Sequence, residues 1–200
     1  ISILGYHGYD YLDYFPGSGD EHFDAIVQLH ADYPQFQLWM SEVCKIQPPI
    51  HAFEDGDFWG NMIVSDLESG ASAWTYWNMI LDENGGPWLI SIVHNDPPYN
   101  AQHPVVIINR VDKTVHYTGL YYYLAHFSKY VRPESVRIET TGSHTGLRAI
   151  TFKRPDDSIV LQVINSTAQY RTATVVFRGQ PMSMRLPPVS ITTALWKIPT

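Results

Sequence analysis

Phe36-Gln37-Leu38-Trp39-Met40-Ser41-Glu42 is the stretch on which the fold turns. Its apolar residues alternate at 36, 38 and 40, which predicts a strand with Glu42 at its C-terminal end. If Phe36, Leu38 and Met40 point into a barrel interior, Glu42 shares their parity and projects into that interior at its rim. Upstream, residues 1–6 form a short apolar run, Pro16-Gly17-Ser18-Gly19 predicts a turn, and Phe23, Ile26, Val27 and His30 keep helical spacing until Pro34. Downstream, Trp59, Met62, Ile63 and Leu67 mark a helix that Gly70 stops. Residues 71–80 predict a third strand, broken by Glu83-Asn84-Gly85-Gly86-Pro87. After a polar loop over residues 95–104, Leu120, Tyr123, Leu124 and Phe127 repeat the helical spacing. Three strand-helix pairs in succession argue for a parallel sheet.

From residue 133 the pattern changes to period two, over 136–140, 147–152, 159–165, 172–177 and 191–196. Pro155-Asp156-Asp157-Ser158 is hairpin-turn chemistry between two of these runs. The expected organisation is an α/β part over 1–132 and an antiparallel, all-β part over 133–200.

The 200 residues are 44% hydrophobic and 14% aromatic, enough for a packed core. Thirteen Lys and Arg against twenty Asp and Glu leave a net charge of −7, the wrong balance for a general nucleic-acid binder. The single Cys44 allows no internal disulfide and no multi-cysteine zinc site. Apolar runs such as Val105 to Ile108 are far shorter than the ~20 residues of a spanning helix. His94, Asp96 and His103 lie near one another, but Pro97 and Pro98 remove any helix-face metal spacing, so neither a metal nor a cofactor is expected. Elbow-serine and phosphate-loop motifs are missing from the sequence. Asn165-Ser166-Thr167 is a glycosylation sequon.

In a parallel α/β sheet, functional side chains gather at the C-terminal strand ends. His7 and Tyr9 after the first strand, Glu42 after the second, and Trp77 with Asn78 after the third hold those places. Each has a plain alternative: Glu42 as a solvated loop carboxylate, Trp77 and Tyr9 as core aromatics, His7 as a buried histidine bonded to a carbonyl. The functional alternative makes the Trp77 indole one wall of a sugar pocket, with the Asn78 amide bonding hydroxyls.

Leu38-Trp39-Met40-Ser41-Glu42-Val43-Cys44, Trp74-Thr75-Tyr76-Trp77-Asn78, Glu83-Asn84-Gly85-Gly86-Pro87 and Tyr123-Leu124-Ala125-His126-Phe127-Ser128-Lys129, in this order, resemble the C-terminal half of glycoside hydrolase family 30, the glucosylceramidase family. The resemblance implies strands six to eight of a (β/α)8 barrel, with residues 120–129 as the last barrel helix, followed by part of an antiparallel β-sandwich. It implies a retaining β-glycosidase with Glu42 as nucleophile and His7, Tyr9, Trp77 and Asn78 lining the sugar site. The family's acid/base lies in an Asn-Glu-Pro motif, which does not occur here, so an N-terminal segment of the same protein is expected to supply it. Glu54 and Glu83 lie in loops without motif support.

Gly8 stands where the lysosomal branch has a bulky aromatic, and Gly86-Pro87 runs straight into Trp88-Leu89. These departures argue against glucosylceramide and leave β-glucosides, β-xylosides and β-1,6-glucan as substrates that no residue here separates. Secreted or lysosomal placement, or a bacterial extracellular or periplasmic one, is the family's implication. The competing reading is a non-catalytic carbohydrate-binding protein or an inactive fragment.

Overall fold

The computed structural model describes residues 2–12, 20–47, 49–87, 101–142 and 144–198. The turn expected at 16–19, most of the polar loop at 95–104, and His94 and Asp96 lie outside the described residues. The chain divides into two compact units, residues 1–52 with 62–118, and residues 53–61 with 119–200.

The first unit is built on β1 (Ile3–His7), β2 (Gln37–Glu42) and β3 (Ala71–Trp74), parallel and in the order β1-β2-β3. Helix α1 (Asp20–Asp32) joins β1 to β2, and α2 (Asp55–Ser69) joins β2 to β3. Gly70, at φ +116°, ends α2 in the left-handed conformation that glycine adopts without cost. The expected third strand is two pieces: β3 stops at Trp74, and residues 80–82 form β4 (Ile80–Asp82) of a separate small sheet. That sheet continues through β5 (Val106–Asn109), parallel to β4, and β6 (Thr114–Tyr117), antiparallel to β5.

The strand parity expected for β2 is corrected. Met40 is the register partner of Tyr6 and Trp74, and the Tyr6 hydroxyl and Trp74 indole both donate to Asp66 of α2, at 2.8 and 2.9 Å. Register partners share a face of a sheet, so the fully buried Leu38 and Met40 point toward the helices, not into a barrel interior. Gly5, Trp39 and His7 occupy the opposite, exposed face.

Glu42 nevertheless reaches that open face. The register slips between Tyr6 and His7, pairing Tyr6 with Met40 but His7 with Glu42, so Ser41 is an extra residue. A bulge of this kind lets two successive residues point the same way.

In the second unit, β12 (Ser190–Lys197), β9 (Ser158–Asn165), β8 (Leu147–Lys153) and β7 (Val136–Ile138) make a four-stranded antiparallel sheet in that order. The turn at 155–158 joins β8 to β9, with the Asp156 carboxylate accepting from the Ser158 amide and hydroxyl. β10 (Arg171–Phe177) pairs with β11 (Gln180–Leu186), a strand beyond the five expected, through the two-residue turn Arg178-Gly179 with φ of 50° and 78°.

Leu161 and Val163 of β9 pack with Met184 and Leu186 of β11. The other side of β9 meets α3 (Gly119–Tyr130), where Gln162 donates to the His126 carbonyl at 2.7 Å. Helix α3, expected as the last barrel helix, thus groups by contact with the β-rich unit. Gly56 and Gly60 of α2 are needed there, since a Cβ at either would come within 2.4 Å of the Tyr123 ring.

The sequon asparagine is wholly buried, and its side-chain amide donates to the carbonyls of Gln169, Leu186 and Pro187 at 2.9, 3.3 and 2.6 Å. Asn165 holds β9 to the loop after β11 and offers no acceptor site in the folded chain.

Candidate active site

Glu42 ends β2 with its side chain 29% exposed. Tyr9 opens a single 3-10 turn (Tyr9–Leu12) that follows β1, and its hydroxyl donates to Glu42 Oε1 at 2.9 Å. His7 Nε2 stands 3.9 Å from Glu42 Oε2, and the His7 and Tyr9 rings meet edge to face at 5.9 Å. The Gly8 amide between them donates to the Glu42 carbonyl at 3.0 Å, so main chain fixes all three residues to one strand end.

This geometry decides between the alternatives for two of these side chains. His7 is 54% exposed and is not a buried structural histidine, and the Tyr9 hydroxyl serves the carboxylate, not the core. Burial, then the neighbouring Cys44 and the bond to Glu42, push the Tyr9 phenol well above its ordinary value, so it stays a neutral donor. Cys44 Sγ lies 3.8 Å from the same hydroxyl. Burial also raises the Cys44 thiol, and a protonated thiol makes a poor nucleophile. A Cβ on Gly8 would meet Met62 Cε at 2.4 Å, so this position has no room for an aromatic without moving Met62.

Trp77 and Asn78 form a second group, one strand over. The Trp77 amide donates to the Val43 carbonyl at 3.0 Å, beside Glu42. With 47% of its surface exposed, Trp77 is not a core aromatic; Tyr76 turns inward instead, donating to the His103 carbonyl at 2.7 Å. The Trp77 indole donates to Gln102 Oε1 at 3.1 Å, and the Asn78 amide donates to the same oxygen. Gln102 is the residue that sequence reading missed. It falls inside the loop read only as polar, and nothing in the local sequence marks it.

Glu83 belongs to neither group. Hydrogen bonds from Arg110 hold its carboxyl down at about 2, and a carboxyl ionised throughout the ordinary pH range cannot serve as a general acid. Among the described residues, no cluster of three or more His, Cys, Asp or Glu could hold a metal ion.

Comparison with known proteins agrees with this architecture. The sequence profile of the glycosyl hydrolase family 30 TIM-barrel domain matches residues 3–131, and that of the family 30 beta sandwich domain matches residues 134–194. Mouse lysosomal acid glucosylceramidase is 26% identical over 185 residues, covering 86% of this chain and 34% of its own length. The chain thus spans about a third of the curated relatives it matches.

Two solved structures share the fold: SrfJ from Salmonella typhimurium (TM-score 0.83, 24% identity, 100% of this chain and 41% of that one) and the endo-beta1,6-glucanase BT3312 (TM-score 0.78, 22% identity, 98% and 41%). The parallel β1-β2-β3 sheet is a portion of the TIM barrel, and the antiparallel strands from β7 onward belong to the sandwich. With the barrel profile alone covering more than half of its residues, the chain belongs to glycoside hydrolase family 30.

Proposed function

We propose that this chain carries the nucleophile of a retaining β-glycoside hydrolase, and that Glu42 is that nucleophile. The observation that carries the reading is the Tyr9–Glu42 hydrogen bond of 2.9 Å on the open face of a parallel sheet, at its C-terminal edge. Tyr9 occupies Oε1, and Oε2 is left facing His7.

The reaction follows from that geometry. Glu42 Oε2 forms a bond to the anomeric carbon as the bond to the aglycone oxygen breaks, and a second carboxyl about 5 Å away gives that oxygen its proton. Water then attacks the anomeric carbon, giving its proton to the same second group and freeing Glu42. As charge leaves Glu42 on forming the ester, the Tyr9 hydroxyl holds the carboxyl in place. His7 and the Trp77 indole wall the sugar, and Asn78, oriented by Gln102, bonds its hydroxyls.

The acid/base comes from a preceding segment of the same protein. Support for this is the length of the relatives, the three parallel strands of the β1-β2-β3 sheet among the described residues, and the engagement of Glu83 by Arg110. We assign the reaction to residues 1–132. The substrate class is a β-linked glycoside. A secreted or lysosomal setting is supported by the lysosomal glucosylceramidase among its relatives.

A 2-fluoro β-glycoside with a dinitrophenolate leaving group tests the nucleophile without the acid, because that leaving group departs unprotonated. With this chain joined to its preceding segment, the expected result is a sugar adduct in the intact mass, mapping to a peptide that contains Glu42. An adduct on another carboxylate, or sugar binding without any adduct, overturns the reading; the latter result belongs to a carbohydrate-binding protein.

A further inference from the structure

We propose that His22 of α1 is a positioning residue for Tyr9, and through Tyr9 for Glu42, by clamping the turn that carries Tyr9 to the helix-covered side of the sheet. This rests on the reading of Glu42 as nucleophile only for its effect on the reaction.

His22 is 5% exposed and lies between two carboxylates. Its Nδ1 is 2.7 Å from Asp10 Oδ1, and its Nε2 is 3.6 Å from Asp66 Oδ1. Asp10 follows Tyr9 directly in the one-turn 3-10 helix. Asp66 is fully buried and already accepts from Tyr6 of β1 and Trp74 of β3, so it is fixed to the sheet from both sides. The clamp therefore runs from a buried carboxylate bonded to β1 and β3, through the imidazole, to the residue beside Tyr9.

Carboxylates only accept, so an imidazole set between two of them is favoured with both ring nitrogens protonated: Nδ1 is in hydrogen-bond reach of Asp10, while the buried Nε2 faces Asp66 as an ion-pair contact too long for a hydrogen bond. The groups facing the ring are Asp10 and Tyr11 from the turn, Tyr6 from β1, Phe23 from α1 itself and Asp66 from α2. The Tyr6 phenol is pushed far up by burial and by Asp66, so it stays neutral. Burial alone would lower the His22 pKa; Asp66 and Asp10 outweigh it and hold the pKa above its ordinary value.

When His22 loses its proton, one ring nitrogen presents a lone pair to a carboxylate. Asp10, 54% exposed, is the partner free to leave. Tyr9 shares its turn, and the 2.9 Å bond to Glu42 loosens with it.

The test combines two readouts across pH, the ring signal of Tyr9 in carbon-13 tyrosine-labelled protein and the rate at which the activated 2-fluoro glycoside labels Glu42. The Tyr9 signal should titrate with the His22 ring at one midpoint above ~6.5, and labelling should fall through that midpoint as pH rises. Asp10→Asn, a substitution at an exposed position, should lower both midpoints by about one pH unit, and His22→Gln should abolish the pH dependence of the Tyr9 signal. A Tyr9 signal indifferent to His22 titration, or a labelling limb unmoved in Asp10→Asn, overturns the proposal. Failure to label Glu42 at any pH overturns the nucleophile reading instead, and the Tyr9 signal still decides for or against the clamp.

Discussion

Strands β2 and β9 lie in different units and answer to different demands. In β2, Leu38 and Met40 are buried while Gln37, Trp39 and Ser41 are exposed, so one face holds the fold and the other is open to a ligand. In β9, all eight residues are buried, because α3 covers one side and β11 the other. A strand covered on both faces has no side chain to spare for chemistry, and a strand with one open face does. The bulge at Ser41 uses that freedom, moving Glu42 to the open face without disturbing Met40.

If this contrast holds, the two strands should respond oppositely to substitution. Glu42→Gln should cost on the order of 10³-fold or more in turnover, while a denaturant midpoint shows stability unchanged. Ile164→Ala, at a fully buried site in β9, should remove about 2–5 kcal/mol of stability by chemical denaturation, with the sugar-labelling rate per folded molecule unaffected. An Ile164→Ala protein that folds normally but fails to label Glu42 would break the contrast.

Smaller effects sharpen it. Tyr9→Phe removes the donor to Glu42 Oε1 and should slow labelling about tenfold, read as kcat/KM for the glycosylation step. The smallest expected effect is a pH slope in stability. Because His22 has a raised folded-state pKa, its contribution is complete below the unfolded value of ~6.5 and disappears as pH rises through the folded value. Unfolding midpoints measured at pH 5.5 and pH 8.5, about one unit or more on either side of ~6.5, should show the loss at the higher pH, and Asp10→Asn should flatten it.

Much of this is legible in the sequence. β2, β8 and β9 follow their apolar patterns, and the clustering of His7, Tyr9 and Glu42 at strand ends follows from parallel-sheet geometry. The direction in which Leu38 and Met40 point is not legible there, since alternation identifies two faces but not which one the helices cover. The bulge at Ser41 leaves no mark in residue type.

β11 escaped because Pro181, Met182 and Met184 are weak strand formers, although Arg178-Gly179 ahead of it is a usable hairpin signal. β4, β5 and β6 are three or four residues each, too short for periodicity to register. On α1, spacing favoured Val27 and His30, yet Val27 is 52% exposed and His22 is the buried histidine. Its partners, Asp10 and Asp66, are brought to it by tertiary structure.

The buried amide of Asn165 has a consequence for the chain's biography. Three carbonyls close over it only after β9 and the loop following β11 have come together. An oligosaccharyltransferase can therefore reach this asparagine only during synthesis or in a molecule that has not matured. A glycan found on Asn165 would be a timestamp, recording that the modification outran folding, and its occupancy would count the molecules that never completed the sandwich.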